Sequence, residues 1–314
     1  SRFDLKRTLD LVIYSPAITP DNPELKAGKK LGIKCQSYPQ ALGELTKNHF
    51  TIAVCGTHGK GTTTAMISLI LIKAGLDPTV IIGTKLKEFG DSNYRLGKSK
   101  YLVIEADEYK SSFLNYSPKI IAITTIDKDH LDYFKTLSNI IKTFGKFIDH
   151  LPKEGKVITS RDDENSKKLF SSTHNSFPTI VEKWLWVTKK ENETKKLKAV
   201  LKIPGDHILA DALTALTVAR TLKISDKISL AALGEYRGAW RRFEESELKI
   251  PLRGFPKKYS TDRARSPVDA KLKIISDYAH HPTEIAVTLK AVRQKYPKKK
   301  ICCVFQPHQY QRTY

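Results

Sequence analysis

Short apolar runs separated by longer amphipathic stretches organise this chain. Residues 52–55, 79–82, 101–104, 120–124 and 156–159 are runs of four or five positions rich in Val and Ile. Runs of that length, apolar at successive positions, are expected of strands covered on both faces. Between and after them, 62–73, about 137–150 and 211–222 carry apolar residues at helical spacing, so strand and helix alternate. Such alternation predicts a largely parallel, doubly wound sheet, with its ligand crevice at the carboxyl ends of the strands. Upstream, 11–14 reads as a strand, Pro16 and Pro20 interrupt the chain, and Asn22-Pro23-Glu24-Leu25 opens a helix. A strand at 33–35 and a helix at 38–45 then complete the tail of an α/β unit. Downstream, 249–273 is irregular and basic and reads as an exposed loop. A strand at 272–276, a helix at 283–294 and a strand at 301–305 form a β-α-β start of a third unit. The expected fold class is α/β. It comprises a central unit with a parallel sheet (48–239), flanked by the tail of an α/β unit (1–47) and the start of a third unit (240–314).

At 314 residues the chain exceeds one ordinary core, in keeping with two or three domains. Its apolar runs are too short to span a bilayer, so no membrane is expected. Ser1 is not an initiator methionine and no basic-then-apolar leader follows it, so the chain reads as a fragment. Cys35, Cys55, Cys302 and Cys303 show no C-x-x-C spacing and read as free thiols of a reducing cytoplasm. The net charge of +21 is spread over scattered lysines. Clusters at 195–198 and 298–300 lack interleaved aromatics, so a solvated surface suited to anionic substrates is expected rather than a nucleic-acid site.

Candidate chemistry begins where the 52–55 run ends. Gly56-Thr57-His58-Gly59-Lys60-Gly61-Thr62-Thr63 joins a buried strand to a helix through a glycine-rich turn closed by lysine. Glycines let backbone N–H groups turn toward an anion, the helix N-terminus favours negative charge, and Lys60 adds a mobile cation. A nucleoside triphosphate is the expected ligand. Gly61 stands where Ser or Thr usually reaches the metal, so Thr62 or Thr63 would hold Mg²⁺. Glu105, the first acid after the 101–104 run, is the candidate carboxylate ligand, with Asp107 and Glu108 behind it or capping a helix. One strand later, Asp127, Asp129, His130 and Asp132 repeat the arrangement; His130 would complete a second Mg²⁺ site or support one indirectly. Arg241 and Arg242 could clamp a transferring phosphoryl group. The segment Asp277 to Glu284, with His280 and His281, is either a further site or a helix-capping turn.

Six segments occur in an order that resembles the Mur ligase family: Gly56-Thr-His-Gly-Lys60, Glu105-Ala-Asp-Glu108, Asp129-His130-Leu-Asp132, Gly238-Ala-Trp-Arg-Arg-Phe243, Asp277-Tyr-Ala-His-His-Pro-Thr-Glu284 and Phe305-Gln-Pro-His308-Gln-Tyr-Gln-Arg312-Thr313. The segment Ser15-Pro-Ala-Ile18-Thr-Pro-Asp-Asn22-Pro-Glu24 is similar to the end of that family's first domain. The resemblance implies a UDP-sugar domain, an ATPase domain and a closing dinucleotide-fold domain, of which the first and last would be incomplete here. It implies a cytoplasmic, ATP-dependent amide ligase of peptidoglycan precursor synthesis, with UDP-N-acetylmuramate, L-alanine and ATP as substrates and Mg²⁺ as cofactor. The alternatives are a ligase that recycles a tripeptide onto UDP-N-acetylmuramate, and a catalytically weak relative that binds.

Carried onto this sequence, the family pattern makes Lys60, Glu105, His130 and Arg242 catalytic and Thr62, Glu105 and His130 metal ligands. Residues 56–63, Arg241, Arg242, Asp277 and His281 would bind nucleotide, and His281 and His308 would face substrate. Departures from that pattern are Gly61 for threonine and Thr125 for asparagine. The motif G-x-H-N-x-x-N-A reads Gly205-Asp-His207-Ile208-Leu-Ala-Asp211-Ala212 here, without either asparagine.

Overall fold

In the computed structural model, which describes residues 9–174, 183–250 and 270–307, the chain builds one seven-stranded sheet and two sheets of two strands. The first small sheet pairs β1 (Leu11–Tyr14) with β2 (Lys34–Ser37) in parallel, joined by α1 (Pro23–Lys30) and followed by α2 (Tyr38–Lys47). Asn22 caps α1 by accepting the Glu24 and Leu25 N–H groups, and Pro23 occupies the first turn where no N–H is needed.

The large sheet opens with β3 (Phe50–Cys55), α3 (Lys60–Lys73), β4 (Thr79–Leu86), β5 (Ser92–Arg95), β6 (Tyr101–Glu105) and β7 (Ile120–Ile123). It continues through α4 (Leu131–Phe134), α5 (Leu137–Ile148), β8 (Lys156–Ser160), α6 (Glu164–His174), β9 (Trp184–Val187), α7 (Glu191–Val200), α8 (Asp206–Thr221) and α9 (Asp226–Glu235). Spatial order is β5-β4-β6-β3-β7-β8-β9, parallel except for the β4–β5 pair. Alternation along each strand divides the core in two. Ile52, Val54, Val103, Ile120, Ala122 and Ile158 join one cluster with α3, α8 and α9. Ala53, Cys55, Leu102, Ile104, Ile121, Ile123 and Val157 join the other, with Phe113 and the Phe144 and Phe147 side chains of α5. Each fully buried aliphatic or aromatic side chain of this kind contributes about 1.5–3 kcal/mol. The helix α3 is buried nearly all round, from Gly61 to Leu71, because α8 and α9 cover the side turned from the sheet.

Since β3 lies between β6 and β7, the turns after these three strands meet at one edge of the sheet. That edge is where strand order diverges, the position at which open α/β sheets form a crevice.

The third unit differs from the sequence expectation. Its first strand, β10 (Glu244–Ile250), pairs antiparallel with β11 (Ala270–Ser276), and α10 (Pro282–Lys295) follows. The expected loop at 249–273 therefore gives up both its ends to strands, and 251–269 lies outside the described residues. The strand expected at 301–305 does not form: those residues have no regular structure, Val304 is 91% exposed, and among the described residues no strand pairs with them. An apolar run becomes a strand only where a neighbour completes its hydrogen bonds. No helix among the described residues is long and apolar enough to cross a membrane.

Candidate functional site

The turn after β3 is forced into a tight cradle. Gly56 has φ +129°, and a Cβ there would collide with Thr124 Oγ1; Gly59 has φ +82°, and a Cβ there would collide with Asp211 Oδ1. Both conformations favour glycine. The cradle is pinned to the β7 exit, since Thr57 N–H donates to the Thr125 carbonyl (2.8 Å) and His58 N–H to Thr125 Oγ1 (3.2 Å). Gly59 is the N-cap of α3 and offers no side chain to its N–H groups. Positive helix-end potential is thus directed into the turn.

Lys60 begins α3, and its ammonium donates to the Gly56 carbonyl (2.7 Å) and to both oxygens of Glu108 (3.1 and 3.0 Å). Burial opposes its charge, but Glu108, with Asp107 and Glu105 behind it, outweighs burial and holds the Lys60 pKa above its ordinary value. Glu108 is 2% exposed. Ion pairing with Lys60 is a role the sequence reading did not name; Glu108 does precede the 3-10 turn Tyr109–Asn115, but its side chain accepts no N–H group there.

Glu105, at the end of β6, accepts the Gly83 N–H through Oε2 (2.7 Å). A Cβ at Gly61 would rest 3.4 Å from that oxygen and 3.5 Å from Thr84 Cγ2, so the helix start approaches Glu105 closely. Thr62 and Thr63 are buried in the first turn of α3. Thr63 Oγ1 donates to Asp211 Oδ1 (3.0 Å), which brings α8 against the cradle. Burial raises the Asp211 carboxyl well above the usual range, against the opposing Thr63 bond and the Arg242 charge. Ile208, one turn earlier, is a core residue.

His130 is in the left-handed region (φ +50°) at the start of α4, with its ring 4.5 Å from that of Tyr109. It groups with Asp107 and Glu108, their ligand atoms all within 4.8 Å, rather than with Glu105. The oxygen donors Thr62 and Glu105 suit a hard cation, and so do the carboxylates beside His130.

The third unit reaches the cradle through the N-terminus of α10. His281 is the N-cap, its Nδ1 accepting from Thr283 N–H (3.3 Å), and Glu284 closes a capping box by accepting the His281 N–H (3.4 Å) while also accepting the His280 N–H (3.1 Å). The capping turn considered from sequence is therefore present, and the same residues touch the phosphate loop. Glu284 Oε1 lies 3.1 Å from His58 Nδ1, Asp127 Oδ2 lies 3.4 Å from His58 Nε2, and the His58 and His281 rings are 4.7 Å apart. Burial raises the Glu284 carboxyl, but the His58 bond and the His280 N–H outweigh it and bring the pKa down to about 2.

Asp277 accepts the Phe243 and Ala279 N–H groups (both 2.8 Å) and so ties the 240–243 segment to the β11 exit. Arg241, at φ +54°, stacks its guanidinium over Tyr278 (5.1 Å) and Trp240 (5.5 Å). Arg242 lies over Tyr278 (5.5 Å), and its charge acts on Asp211, Asp277 and Glu284 together. His308 lies outside the described residues.

The sequence reading includes Asp127 among the acids after the 120–124 run and Glu284 in the 277–284 segment, but it gives neither of them His58 as a partner and does not contain the Asp211–Gly59 approach. Asp127 stands at a strand exit and Glu284 at the third position after a capping residue, which are the available local signals; their joining through His58 is visible only in three dimensions.

Three family models match. The Mur ligase middle domain covers residues 54–219, the glutamate ligase domain of Mur ligases covers 265–313, and the Mur ligase family catalytic domain covers 3–50. The UDP-N-acetylmuramate–L-alanine ligase of Acetivibrio thermocellus is 39% identical over 97% of this chain, and that of Clostridium acetobutylicum 38% identical over 97%. The chain spans 64% and 65% of the lengths of those two relatives. Among solved structures, the UDP-N-acetylmuramate-alanine ligase MurC of Thermotoga maritima superposes with a TM-score of 0.71 at 26% identity, over 95% of this chain and 67% of that one. A murein peptide ligase of Psychrobacter arcticus shares the fold at TM-score 0.64 and 21% identity, over 96% and 68%.

Proposed function

The chain belongs to the Mur ligase family, and from that premise we propose that it serves an ATP-dependent ligase joining L-alanine to UDP-N-acetylmuramate, in the cytoplasm. The observation that carries this reading is the cradle after β3, closed by Lys60 and flanked by acids from β6 and β7. A carboxylate is a poor acyl donor. In the proposed sequence, its oxygen attacks the γ-phosphorus of ATP, ADP leaves, and an acyl phosphate forms. The alanine amine then attacks the acyl carbon, inorganic phosphate departs with the C–O bonding electrons, and the nitrogen loses a proton. Such chemistry needs positioned positive charge more than a protein nucleophile.

Within this reading, the cradle N–H groups and Lys60 hold the β- and γ-phosphates. Thr62 and Glu105 would hold Mg²⁺, which neutralises phosphate charge, and His130 beside Asp107 and Glu108 would support a second ion. Arg242 would sit toward the phosphates, and Arg241, Asp277 and His281 toward the nucleotide from the closing unit. In this reading 1–47 belongs to the UDP-sugar domain, 48–239 is the ATP-binding domain and 240–314 belongs to the closing domain.

The test is phosphate release in the protein carrying this chain. Release should require UDP-N-acetylmuramate and L-alanine together and fall at least about 100-fold in Lys60→Ala. Release with a tripeptide but not with alanine would replace the amine substrate. Undiminished turnover in Lys60→Ala would refute the assignment of the cradle.

A further inference from the structure

We propose that His58, Asp127 and His281 form a site for a divalent transition ion of the zinc class, which clamps α10 onto the phosphate loop. The three side chains come from three places that folding alone unites: the turn after β3, the exit of β7 and the N-cap of α10. Their ligand atoms all lie within 4.8 Å of one another. The 3.4 Å between His58 Nε2 and Asp127 Oδ2 is longer than an ordinary N–H···O bond. It matches the ligand-to-ligand edge of roughly 3.3 Å that a tetrahedron with bonds of about 2.0–2.1 Å requires.

Neighbouring groups point the right atoms inward. His58 lies between two carboxylates, its Nδ1 3.1 Å from Glu284 Oε1 and its Nε2 3.4 Å from Asp127 Oδ2; with its proton on Nδ1 toward the nearer carboxylate, Nε2 would be the nitrogen that ligates an ion beside Asp127. His281 Nδ1 is taken by the Thr283 N–H of the helix cap, so Nε2 is its remaining donor. Thr283 Oγ1, 3.4 Å from Asp127 Oδ2, lies beside the third ligand. A carboxylate behind a ligating imidazole is the arrangement that fixes tautomer and ring orientation in zinc sites. Two imidazoles and one carboxylate favour zinc-like ions over magnesium, in contrast to the oxygen donors Thr62 and Glu105. All three ligands are half-buried, which leaves an entry path and room for water in a fourth position. The site is separate from the Asp107–Glu108–His130 group; it uses His58 and His281, which the ligase reading turns toward the nucleotide, and its metal-binding readout needs neither nucleotide nor turnover.

Co²⁺ is the probe, with Zn²⁺ as its competitor. Cys302 and Cys303 are exposed and adjacent and could capture either ion, so both are first replaced by serine. After chelator treatment, this chain should bind one equivalent of Co²⁺ with the visible absorption of a four-coordinate ion, and Zn²⁺ should displace it. Asp127→Asn and His281→Gln should each abolish the band, while Glu284→Gln should weaken affinity 10- to 100-fold. His130→Gln should leave the band in place, and far-ultraviolet circular dichroism should show every variant folded. No Co²⁺ uptake, uptake indifferent to Asp127→Asn and His281→Gln, or uptake lost in His130→Gln would each overturn the site.

Discussion

Lys60 and Glu108 hold opposite charges where little water reaches, their side chains 15% and 3% exposed. Removing one member of such a pair strands the other, which costs more than the intact pair contributes. Glu108→Gln should therefore lower unfolding free energy by about 3 kcal/mol, seen as a lower urea midpoint at unchanged slope. An unchanged midpoint would mean that Lys60 finds another partner.

Asp211 follows the opposite logic. Burial raises its folded pKa above the unfolded value, so its contribution is fully present below about pH 3.9 and is lost as pH rises toward the folded pKa. Asp211→Asn keeps the shape and the oxygen that Thr63 bonds while removing the ionisation. The variant should match the parent near pH 4 and exceed it in denaturant midpoint at pH 8. Equal midpoints at both pH values would show that the carboxyl is not desolvated in solution.

At the scale of elements, the start of α3 and the middle of α8 are locked together through Gly59 and Asp211. Gly59→Ala places a Cβ in a left-handed conformation and against Asp211 Oδ1. The conformation alone costs about 1–3 kcal/mol, and the collision adds to it. Combined with Asp211→Ala, the collision vanishes and the strain stays, so the double mutant should be more stable than the sum of the singles predicts. Additive losses in denaturation would remove the proposed contact.

The same elements show what sequence can reveal. β3, β6 and β7 were legible because each is buried on both faces and reads as an unbroken apolar run, and the cradle was legible because its chemistry is local. β10 was not, because Glu244–Ile250 mixes charge with apolar residues, as a half-exposed strand does. Nor was β5, a polar edge strand held only by β4. At 301–305 the apolar run misled, since no pattern within a segment reports whether a partner strand is beside it. His58 and Glu284 are 226 residues apart in sequence, so each end of their contact is visible locally and the contact itself is not.

At the scale of the molecule, the three sheets differ in how much apolar surface secures them. Ile52, Val54, Leu102, Val103, Ile121 and Ile123 are 0% exposed, whereas Leu11, Ile13, Leu248 and Leu272 are between 40% and 53% exposed. A two-stranded sheet lacks a ladder on both outer edges and gains little from burial, so it is marginal unless something covers it. α10 meets the cradle through polar side chains, and the third unit meets the main core through the small apolar contact of Ala291, Val292 and Ile275. The chain should therefore open in parts. Amide exchange in β3, β6, β7 and α3 should approach the global unfolding limit, while β1, β2, β10 and β11 should exchange faster by on the order of a hundredfold or more. The net charge of +21 adds self-repulsion that salt screens within a Debye length of about 10 Å at 0.1 M. Raising ionic strength should slow exchange in all three sheets without closing the gap between them. Uniform protection across the eleven strands of the described residues at low salt would mean that the small sheets share the cooperativity of the large one, and the packing argument would fail.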